Sequence, residues 1–253
     1  MMTYAFIFGI LGNIISFLVY LAPLPTFIQI YKNKCTEGFD SLPYVVALFS
    51  SMLWLYYGFI QANASLLISI NSFGCVVEAI YCIIYIIYAP REVRKLTIKL
   101  IAAMDVGSFI LIWSIVEWAI PQHLRVQVLG WICMSISVSV FASPLSIAVK
   151  VIRTRSVQYM PFSLSFSLTL SAVMWFFYGY FKKDKCVFIP NIVGFILGVI
   201  QMVLYAYYKT YGVGKEEPPC EVINIVVMNP SGTCEVFPIP LDENDDIIDT
   251  VNQ

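Results

Sequence analysis

Seven long apolar stretches, separated by short breaks of charge and proline, constrain the fold of this chain more than any other feature of its sequence. They cover residues 4–31, 42–60, 65–89, 97–120, 126–152, 161–182 and 186–211. Each is close to or above the roughly 20 residues that a helix needs to cross a bilayer core, and in lipid the backbone must satisfy its own hydrogen bonds. With only 12% charged residues, the chain lacks the surface charge of a soluble domain. The sequence therefore predicts an all-α membrane protein with seven transmembrane helices.

Lys and Arg predict the orientation of these helices. If the N-terminus lies outside, the cytoplasmic side collects 11 of the 15 basic residues and the other side keeps 4. Basic loops favour the cytoplasm, so we expect a multi-pass protein with its N-terminus outside and its C-terminus inside. No basic region precedes the first apolar stretch, so we expect that stretch to remain rather than to be cleaved as a signal peptide.

The seven cysteines are scattered and show no CxxC spacing. This distribution indicates neither a disulfide framework nor a metal site. We expect no cofactor and no nucleic-acid partner; the expected surroundings are the lipid bilayer. Whether copies of the chain form a homo-oligomer is left open.

Residues recur along the chain in one register. In the first and fifth stretches the pairs Gly9/Gly130, Ser16/Ser137, Val19/Val140 and Pro23/Pro144 are each 121 positions apart. The second and sixth stretches share, at the same spacing, the pairs Ser50/Ser171, Trp54/Trp175, Tyr57/Tyr178 and Gly58/Gly179. The third and seventh share Asn71-x-x-Gly74 and Asn191-x-x-Gly194, 120 apart. Recurrence of Trp, Asn and Pro in this way predicts an internal duplication.

The duplication predicts a domain organisation. Residues 4–89 and 125–211 form the two three-helix copies, and residues 97–120 form a single helix between them. Because each copy has an odd number of helices, one extra crossing gives both copies the same orientation, as in parallel-repeat transporters. Residues 212–253 hold nine acidic residues against a single Lys, which predicts a disordered cytoplasmic tail.

The residues of this register also resemble a known family. The runs that carry the resemblance are Gly12-Asn13-Ile14-Ile15-Ser16, Ala22-Pro23-Leu24-Pro25-Thr26-Phe27, Leu53-Trp54-Leu55-Tyr56-Tyr57-Gly58, Ile70-Asn71-Ser72-Phe73-Gly74 and Met174-Trp175-Phe176-Phe177-Tyr178-Gly179. They are similar to plant SWEET sugar transporters of the MtN3/saliva type, over residues 4 to about 211. The resemblance implies a bidirectional, gradient-driven sugar uniporter of the plasma membrane, with a 3+1+3 helix bundle and alternating access to a central site.

Trp54 and Asn71 each lie about six residues from the same end of their helices, near 9 Å into the membrane. A membrane Trp is usually an interfacial anchor and a membrane Asn often joins helices. The recurrence of both as Trp175 and Asn191 favours a functional layer instead, because a sugar needs an apolar plate together with groups that donate and accept hydrogen bonds. The resemblance implies that these four residues form the central sugar site.

Six smaller residues complete the expected site. Membrane serines commonly bond their own helix, so these positions depend chiefly on the resemblance. They are Ser16, Val19, Ser50, Ser137, Val140 and Ser171. In the resembling family, valine at 140 with serines at 50 and 171 is typical of the sucrose-carrying branch, so we expect sucrose to be carried together with some glucose.

Prolines and one outer pair are the candidate gates. Pro23 and Pro144 each remove a helical hydrogen bond and predict a kink. Pro43 and Pro161 begin helices, where proline is a good first-turn residue in any case. The resemblance implies that the four prolines form an inner-gate hinge. It also implies that Tyr57 and Asp184 act at the outer gate, although residues 182–185 otherwise resemble an ordinary solvated turn.

The candidate proton carriers are few. Glu78, Asp105 and Glu117 are the acidic residues within the apolar stretches, and none recurs in the other copy. We therefore expect structural roles for them, which argues against proton coupling. A seven-helix receptor would not show the duplication, and no catalytic spacing supports an intramembrane enzyme. The nearest alternative is a related PQ-loop-type, proton-coupled carrier of another small solute.

Overall fold

The computed structural model describes residues 2–36, 39–140, 145, 148–149, 151–153, 157 and 162–211, together with the backbone of 223–228 and 234–239. The helices of the first half are α1 (Met2–Leu21), α2 (Leu24–Asn33), α3 (Leu42–Ile60) and α4 (Ser65–Tyr88). A connector follows, with α5 (Arg91–Ile101) and α6 (Phe109–Ser114) joined and extended by π-helical turns at Ala102–Ser108 and Ile115–Ala119. The second half contains α7 (Gln122–Val140), α8 (Phe162–Lys182) and α9 (Lys185–Tyr211).

The helices are long and apolar enough to cross a membrane. Within the described residues six spans meet this condition: Thr3–Asn33, Leu42–Ile60, Ser65–Tyr88, Arg91–Ala119, Phe162–Lys182 and Lys185–Tyr211. The predicted fifth stretch, 126–152, lies partly outside the described residues. An all-α membrane fold is thus confirmed.

The first span is broken at Pro23. α1 ends at Leu21, and the Ala22 amide donates to the Val19 carbonyl at 3.1 Å. The donor is three residues after the acceptor instead of four, as in the tighter 3₁₀-type turn that often ends a helix. Pro23, which has no amide hydrogen, then starts α2, and its carbonyl accepts from the Phe27 amide at 3.2 Å. The predicted kink is present here. Pro144 and Pro161 lie outside the described residues.

Six helices form a closed ring. Its principal contacts run in the order α1, α4, α3, α7, α9, α8 and back to α1. The ring consists of a first triplet, α1, α3 and α4, and a second triplet, α7, α8 and α9. If each helix is replaced by its counterpart in the other triplet (α1 by α7, α3 by α8, α4 by α9, and the reverse), the order around the ring is unchanged. The ring therefore has the approximate two-fold symmetry that a duplicated sequence predicts.

The connector packs outside this ring, against α3 and α4 and, at its end, against the start of α7. At one end of the connector the hydroxyls of Ser41 and Thr97 are 2.8 Å apart, and both residues are buried. At the other end Tyr56 donates to a carboxylate oxygen of Glu117 at 2.8 Å. The described connector contacts thus brace the first triplet much more than the second.

Two short strands lie in the C-terminal segment. Residues 223–228 (β1) and 234–239 (β2) form an antiparallel pair, with Val226 opposite Val236 and Ile223 opposite Ile239. Although the segment is acidic overall, these runs are rich in β-branched residues, which favour strands. The disordered cytoplasmic tail stays a prediction, since the rest of 212–253 lies outside the described residues.

Candidate functional site

The centre of the ring holds a cavity of about 330 Å³ that both triplets line. Its lining residues are Ser16, Tyr20, Ser50, Trp54, Leu67, Ile70, Asn71, Ser137, Leu168, Trp175, Val187, Pro190 and Asn191. Seven of these thirteen were predicted as site residues from the sequence, so the repeated register converges on one place.

Two reciprocal hydrogen bonds join the triplets across this cavity. The indole nitrogen of Trp54 on α3 donates to the hydroxyl of Ser137 on α7 at 3.1 Å. The indole nitrogen of Trp175 on α8 donates to the hydroxyl of Ser16 on α1 at 2.9 Å. Each tryptophan thus bonds the serine of the opposite copy, and the bond orients an aromatic face at the cavity wall.

Gly12 explains how Trp175 comes so close to α1. A Cβ atom placed on this glycine would lie 3.1 Å from Cε2 and 3.2 Å from Nε1 of the indole, tighter than normal side-chain packing. A larger residue would displace the ring from its hydrogen bond with Ser16. The repeated tryptophan therefore depends on a small residue in the helix that it faces.

The two asparagines are held by their own helices. Nδ2 of Asn71 donates to the Leu67 carbonyl at 2.8 Å, and Nδ2 of Asn191 donates to the Val187 carbonyl at 2.7 Å. Each bond uses one of the two amide hydrogens. The other hydrogen and the amide oxygen remain for a ligand in the cavity that both residues line.

The predicted serines and valines differ from one another. Ser171 does not line the cavity; its hydroxyl is 2.9 Å from that of Ser16, behind the Trp175 bond. Ser50 lines the cavity and makes no hydrogen bond within the described part of the chain. Val19 is half-buried and lies outside the lining. The side chain of Val140 falls outside the described residues.

One end of the ring, which carries loop 61–64 and is called here the 61–64 end, is closed by polar contacts. The Tyr57 hydroxyl donates to Oδ2 of Asp184 at 2.8 Å, and this bond is buried. The other carboxylate oxygen, Oδ1, accepts from the amides of Cys186 and Val187 at 3.1 and 3.3 Å and so caps α9. Lys182 donates to the carbonyls of loop 61–64. The two predicted gate residues therefore meet.

Aromatic rings add to this closure. Tyr4 stacks on Phe181 with ring centroids 5.4 Å apart, and Phe8 stacks on Phe177 at 4.8 Å. These pairs join α1 to α8 on the side of the ring away from Tyr57. Tyr4 is largely exposed and the other three rings are half-buried, so these stacked pairs strengthen the contact between α1 and α8 at this end.

Sequence reasoning missed six of the lining residues: Tyr20, Leu67, Ile70, Leu168, Val187 and Pro190. Two pairs among them, Leu67/Val187 and Ile70/Pro190, keep the spacing of 120 that relates the asparagines. They lie four residues and one residue before each asparagine. The spacing of 120 relates these residues in the sequence, but matches between apolar residues are so common in a membrane protein that the spacing alone does not identify them as lining residues.

The intramembrane carboxyls lie outside the cavity. Glu78 and Asp105 are buried, and Oε2 of Glu78 and both Asp105 oxygens make no hydrogen bond with any described residue. Glu117 is different, because it pairs with Arg125 and accepts from Tyr56. None of the three therefore contacts the site directly.

Comparison with known proteins assigns this architecture to a family. The family model described as "Sugar efflux transporter for intercellular exchange" matches residues 6–93 and again residues 127–226. The chain belongs to this MtN3/saliva, or SWEET, family. The unmatched residues between the two ranges, 94–126, include most of the connector.

Individual relatives agree. The bidirectional sugar transporter N3 of Medicago truncatula is 65% identical over 210 residues, which are 83% of this chain and 78% of that protein. The bidirectional sugar transporter SWEET10 of Arabidopsis thaliana is 53% identical over 215 residues, 85% of this chain and 74% of the relative. A eukaryotic SWEET transporter solved at 3.7 Å has a TM-score of 0.78 and 36% identity, over 82% of this chain and 98% of that one.

Membership of the SWEET family decides between the classes of function that the sequence left open. The family consists of membrane sugar transporters, so the predictions of a transporter rather than an enzyme, and of a resemblance to plant SWEET proteins, are confirmed. A receptor is excluded on the same ground.

Proposed function

We propose that this protein is a bidirectional sugar uniporter in which the central cavity binds the sugar and opens alternately to the two sides of the membrane. The observation that carries the proposal is the pair of reciprocal Trp–Ser hydrogen bonds, which give one cavity two matched aromatic walls. A volume of about 330 Å³ lies at the small end of ligand pockets, which run from about 300 to 1,000 Å³.

The chemistry of the lining fits a sugar. The faces of Trp54 and Trp175 supply apolar plates for the C–H groups of a pyranose, and the amides of Asn71 and Asn191 supply groups that both donate and accept. A sugar has many hydroxyls and no charge. In agreement, none of the described lining residues is acidic or basic.

The closed end supports alternating access. The bond between Tyr57 and Asp184 holds the 61–64 end shut, while the break at Pro23 lies on the opposite side of the cavity. We propose that Tyr57 and Asp184 form one gate, and that Pro23, Pro43, Pro144 and Pro161 form the hinge of the other. Residues 4–89 and 125–211 would then move against each other as two domains joined by the connector at 97–120.

The basic residues support an orientation. With 11 of 15 on the side of loop 34–41, this side faces the cytoplasm and the 61–64 end faces outward. We propose the plasma membrane as the location, as the family resemblance implies.

Small residues near the site support sucrose as the preferred substrate, with glucose also carried. Val19 and Val140 precede the prolines by one turn, and Ser50 and Ser171 are the small residues at the other two family positions. A disaccharide needs more room than a hexose, and of these four positions Ser50 is a small side chain in the described cavity lining.

Flux through purified protein in liposomes tests the proposal. Labelled sucrose or glucose should equilibrate in both directions, reach equal concentrations inside and outside, and be unaffected by an uncoupler. Empty liposomes and the Trp175→Ala variant serve as controls. Accumulation that follows an imposed pH gradient would instead support the proton-coupled carrier, and absence of sugar flux would overturn sugar transport itself.

A further inference from the structure

Tyr20 is a polar residue of the cavity lining whose counterpart in the second copy is apolar. Its side chain lines the central cavity near the Pro23 break, and it is half-buried. Its hydroxyl lies 3.0 Å from the hydroxyl of Ser51 on α3. Ser51 is buried, with 2% of its surface exposed, so it lies behind the tyrosine and not in the cavity.

The tyrosine ring is held from a second helix. A Cβ atom added to Gly74 on α4 would lie 2.6 Å from both Cζ and the hydroxyl oxygen of Tyr20, and 2.8 Å from the Ser51 oxygen. Glycine at this position therefore makes room for the phenol. This contact gives the glycine of the repeated Asn-x-x-Gly motif a physical role in the first copy: it lets the phenol lie one turn from Asn71.

The backbone of Tyr20 is fixed as well. The hydroxyl of Tyr81 on α4 donates to the Tyr20 carbonyl at 3.1 Å. The ring of Tyr20 also meets Phe73 edge-on, with centroids 6.2 Å apart. A phenol that is held by α3 and α4 in this way is pre-organised, which lowers the entropic cost of binding a ligand hydroxyl.

The second copy lacks this pair of hydroxyls. At the spacing of 121, Tyr20 corresponds to Phe141 and Ser51 corresponds to Ala172. Phe differs from Tyr, and Ala from Ser, by the loss of the hydroxyl oxygen alone, so both hydroxyls are absent together in the second copy. A hydrogen-bonded pair that is present or absent as a unit indicates a specific role in one half of the site, since apolar packing alone would be served by Phe and Ala in both.

A tyrosine hydroxyl has one donor and can also accept hydrogen bonds, and the bond with Ser51 leaves part of this capacity unused whichever oxygen is the donor. We propose that Tyr20 contacts the bound sugar directly, exchanging one hydrogen bond with a sugar hydroxyl on the first-copy side of the cavity, while Ser51 positions the phenol. The sugar site is thus asymmetric, and the substrate binds with a preferred orientation. This inference rests on the proposed function and adds a contact to it.

The test compares Tyr20→Phe, Ser51→Ala, the double variant and Tyr178→Phe in liposomes. Loss of one hydrogen bond commonly costs enough to change affinity severalfold. We expect Tyr20→Phe to raise the half-saturation concentration for glucose about three- to tenfold, with the maximal flux within twofold of wild type. Ser51→Ala should act in the same direction but less, and the double variant should match Tyr20→Phe.

Tyr178→Phe is the matched control, because it removes a tyrosine hydroxyl that does not line the cavity and makes no hydrogen bond within the described part of the chain. Its half-saturation concentration should be unchanged. If Tyr20→Phe leaves this concentration unchanged, or if both tyrosine variants lower only the maximal flux, Tyr20 has a structural role and the inference is overturned. The proposed function would still hold after either result, provided that the wild-type protein carries sugar and Trp175→Ala does not. If the wild-type protein carries no sugar, both proposals fail.

A second readout uses monodeoxyglucoses as competitors. Wild type should bind the analogue that lacks the contacted hydroxyl several times more weakly than glucose, and Tyr20→Phe should reduce this difference. Equal discrimination by the two proteins would contradict a direct contact.

Discussion

The two copies agree where the cavity needs both of them and differ where one copy suffices. Both supply a tryptophan, an asparagine and a serine, and the Trp–Ser bonds cross between copies at 2.9 and 3.1 Å. At other matched positions the copies diverge: Ser50 has no described hydrogen bond, whereas its counterpart Ser171 is bonded to Ser16. The difference shows that the approximate symmetry of this ring lies in its walls and not in every polar contact.

The closed end shows the same divergence. Asp184 accepts from Tyr57, but the residue 121 positions earlier than Asp184 is Asn63, which carries no charge. One contact at the 61–64 end therefore joins both halves, because the acid of the second copy accepts from the tyrosine of the first. Divergence of this kind separates residues that bind from residues that hold the closed end.

The largest expected effect comes from the shared wall. Trp54→Ala and Trp175→Ala should each reduce sugar flux at least about twentyfold, since each removes an aromatic face and leaves a serine of the opposite copy without its donor. Asn191→Ala should act similarly. Flux is measured at equal surface expression, with Trp118→Ala as the control, because Trp118 is 83% exposed on the connector. Near-normal flux in either Trp variant would show that the symmetric wall is not the site.

This wall is also the part of the site that the sequence predicted best. Trp54, Asn71, Trp175 and Asn191 are distinctive residues in a chain of mostly apolar ones, so their repetition was visible without coordinates. The bounds of α3, α4 and α8 were close to prediction, and charge or proline marks the start of α3, the end of α4 and both ends of α8.

Contacts between copies were not predictable from spacing. The bond from Trp54 to Ser137 depends on how α3 packs on α7, and the seating of Tyr20 depends on Gly74 of a neighbouring helix. Both are tertiary effects, which leave no periodic pattern in either helix. The pairing of β1 with β2 likewise has no signal in the net acidic composition of residues 212–253.

The next effect tests size discrimination in the second copy. Val140→Met should depress sucrose flux more than glucose flux, because added methylenes in a packed site cost about 1–3 kcal/mol, up to about a hundredfold in affinity. Val19→Met should change the ratio of the two fluxes little, since Val19 does not line the cavity. Initial rates with both sugars give the ratio, and Val138→Met, at an exposed position of α7, is the control. Equal losses of both sugars would remove Val140 from the size limit.

A smaller effect is expected at the gate. Tyr57→Phe removes a buried hydrogen bond to a carboxylate, a contact commonly worth about 1.5–3 kcal/mol. The state closed at the 61–64 end loses stability relative to the open one, but Gln61 still donates to the same Asp184 oxygen at 3.3 Å and offsets part of the loss, so sugar exchange should slow about three- to tenfold. Tyr178→Phe is the matched variant, since the Tyr178 hydroxyl makes no hydrogen bond within the described part of the chain, and it should stay within twofold. Equal slowing by both would mean that the rings, and not the bond to Asp184, hold this end.

The smallest effect concerns the connector, which braces the first copy. Glu117 pairs with Arg125 and accepts from Tyr56, and both charged side chains are about a quarter exposed. Partial exposure reduces the value of such a pair, so Glu117→Gln should cost about 1 kcal/mol and lower the melting temperature in detergent by about 2–4 °C.

Sugar flux of Glu117→Gln should remain within twofold of wild type, because the pair lies outside the cavity. Glu92→Gln is the control: Glu92 pairs with Lys95 at 2.9 Å, but both side chains are largely exposed, so no change in melting temperature is expected. If Glu117→Gln lost flux but not stability, the connector would have to move together with the gate. The route would be Tyr56, which bonds Glu117 and is adjacent in α3 to Tyr57, the residue that bonds Asp184.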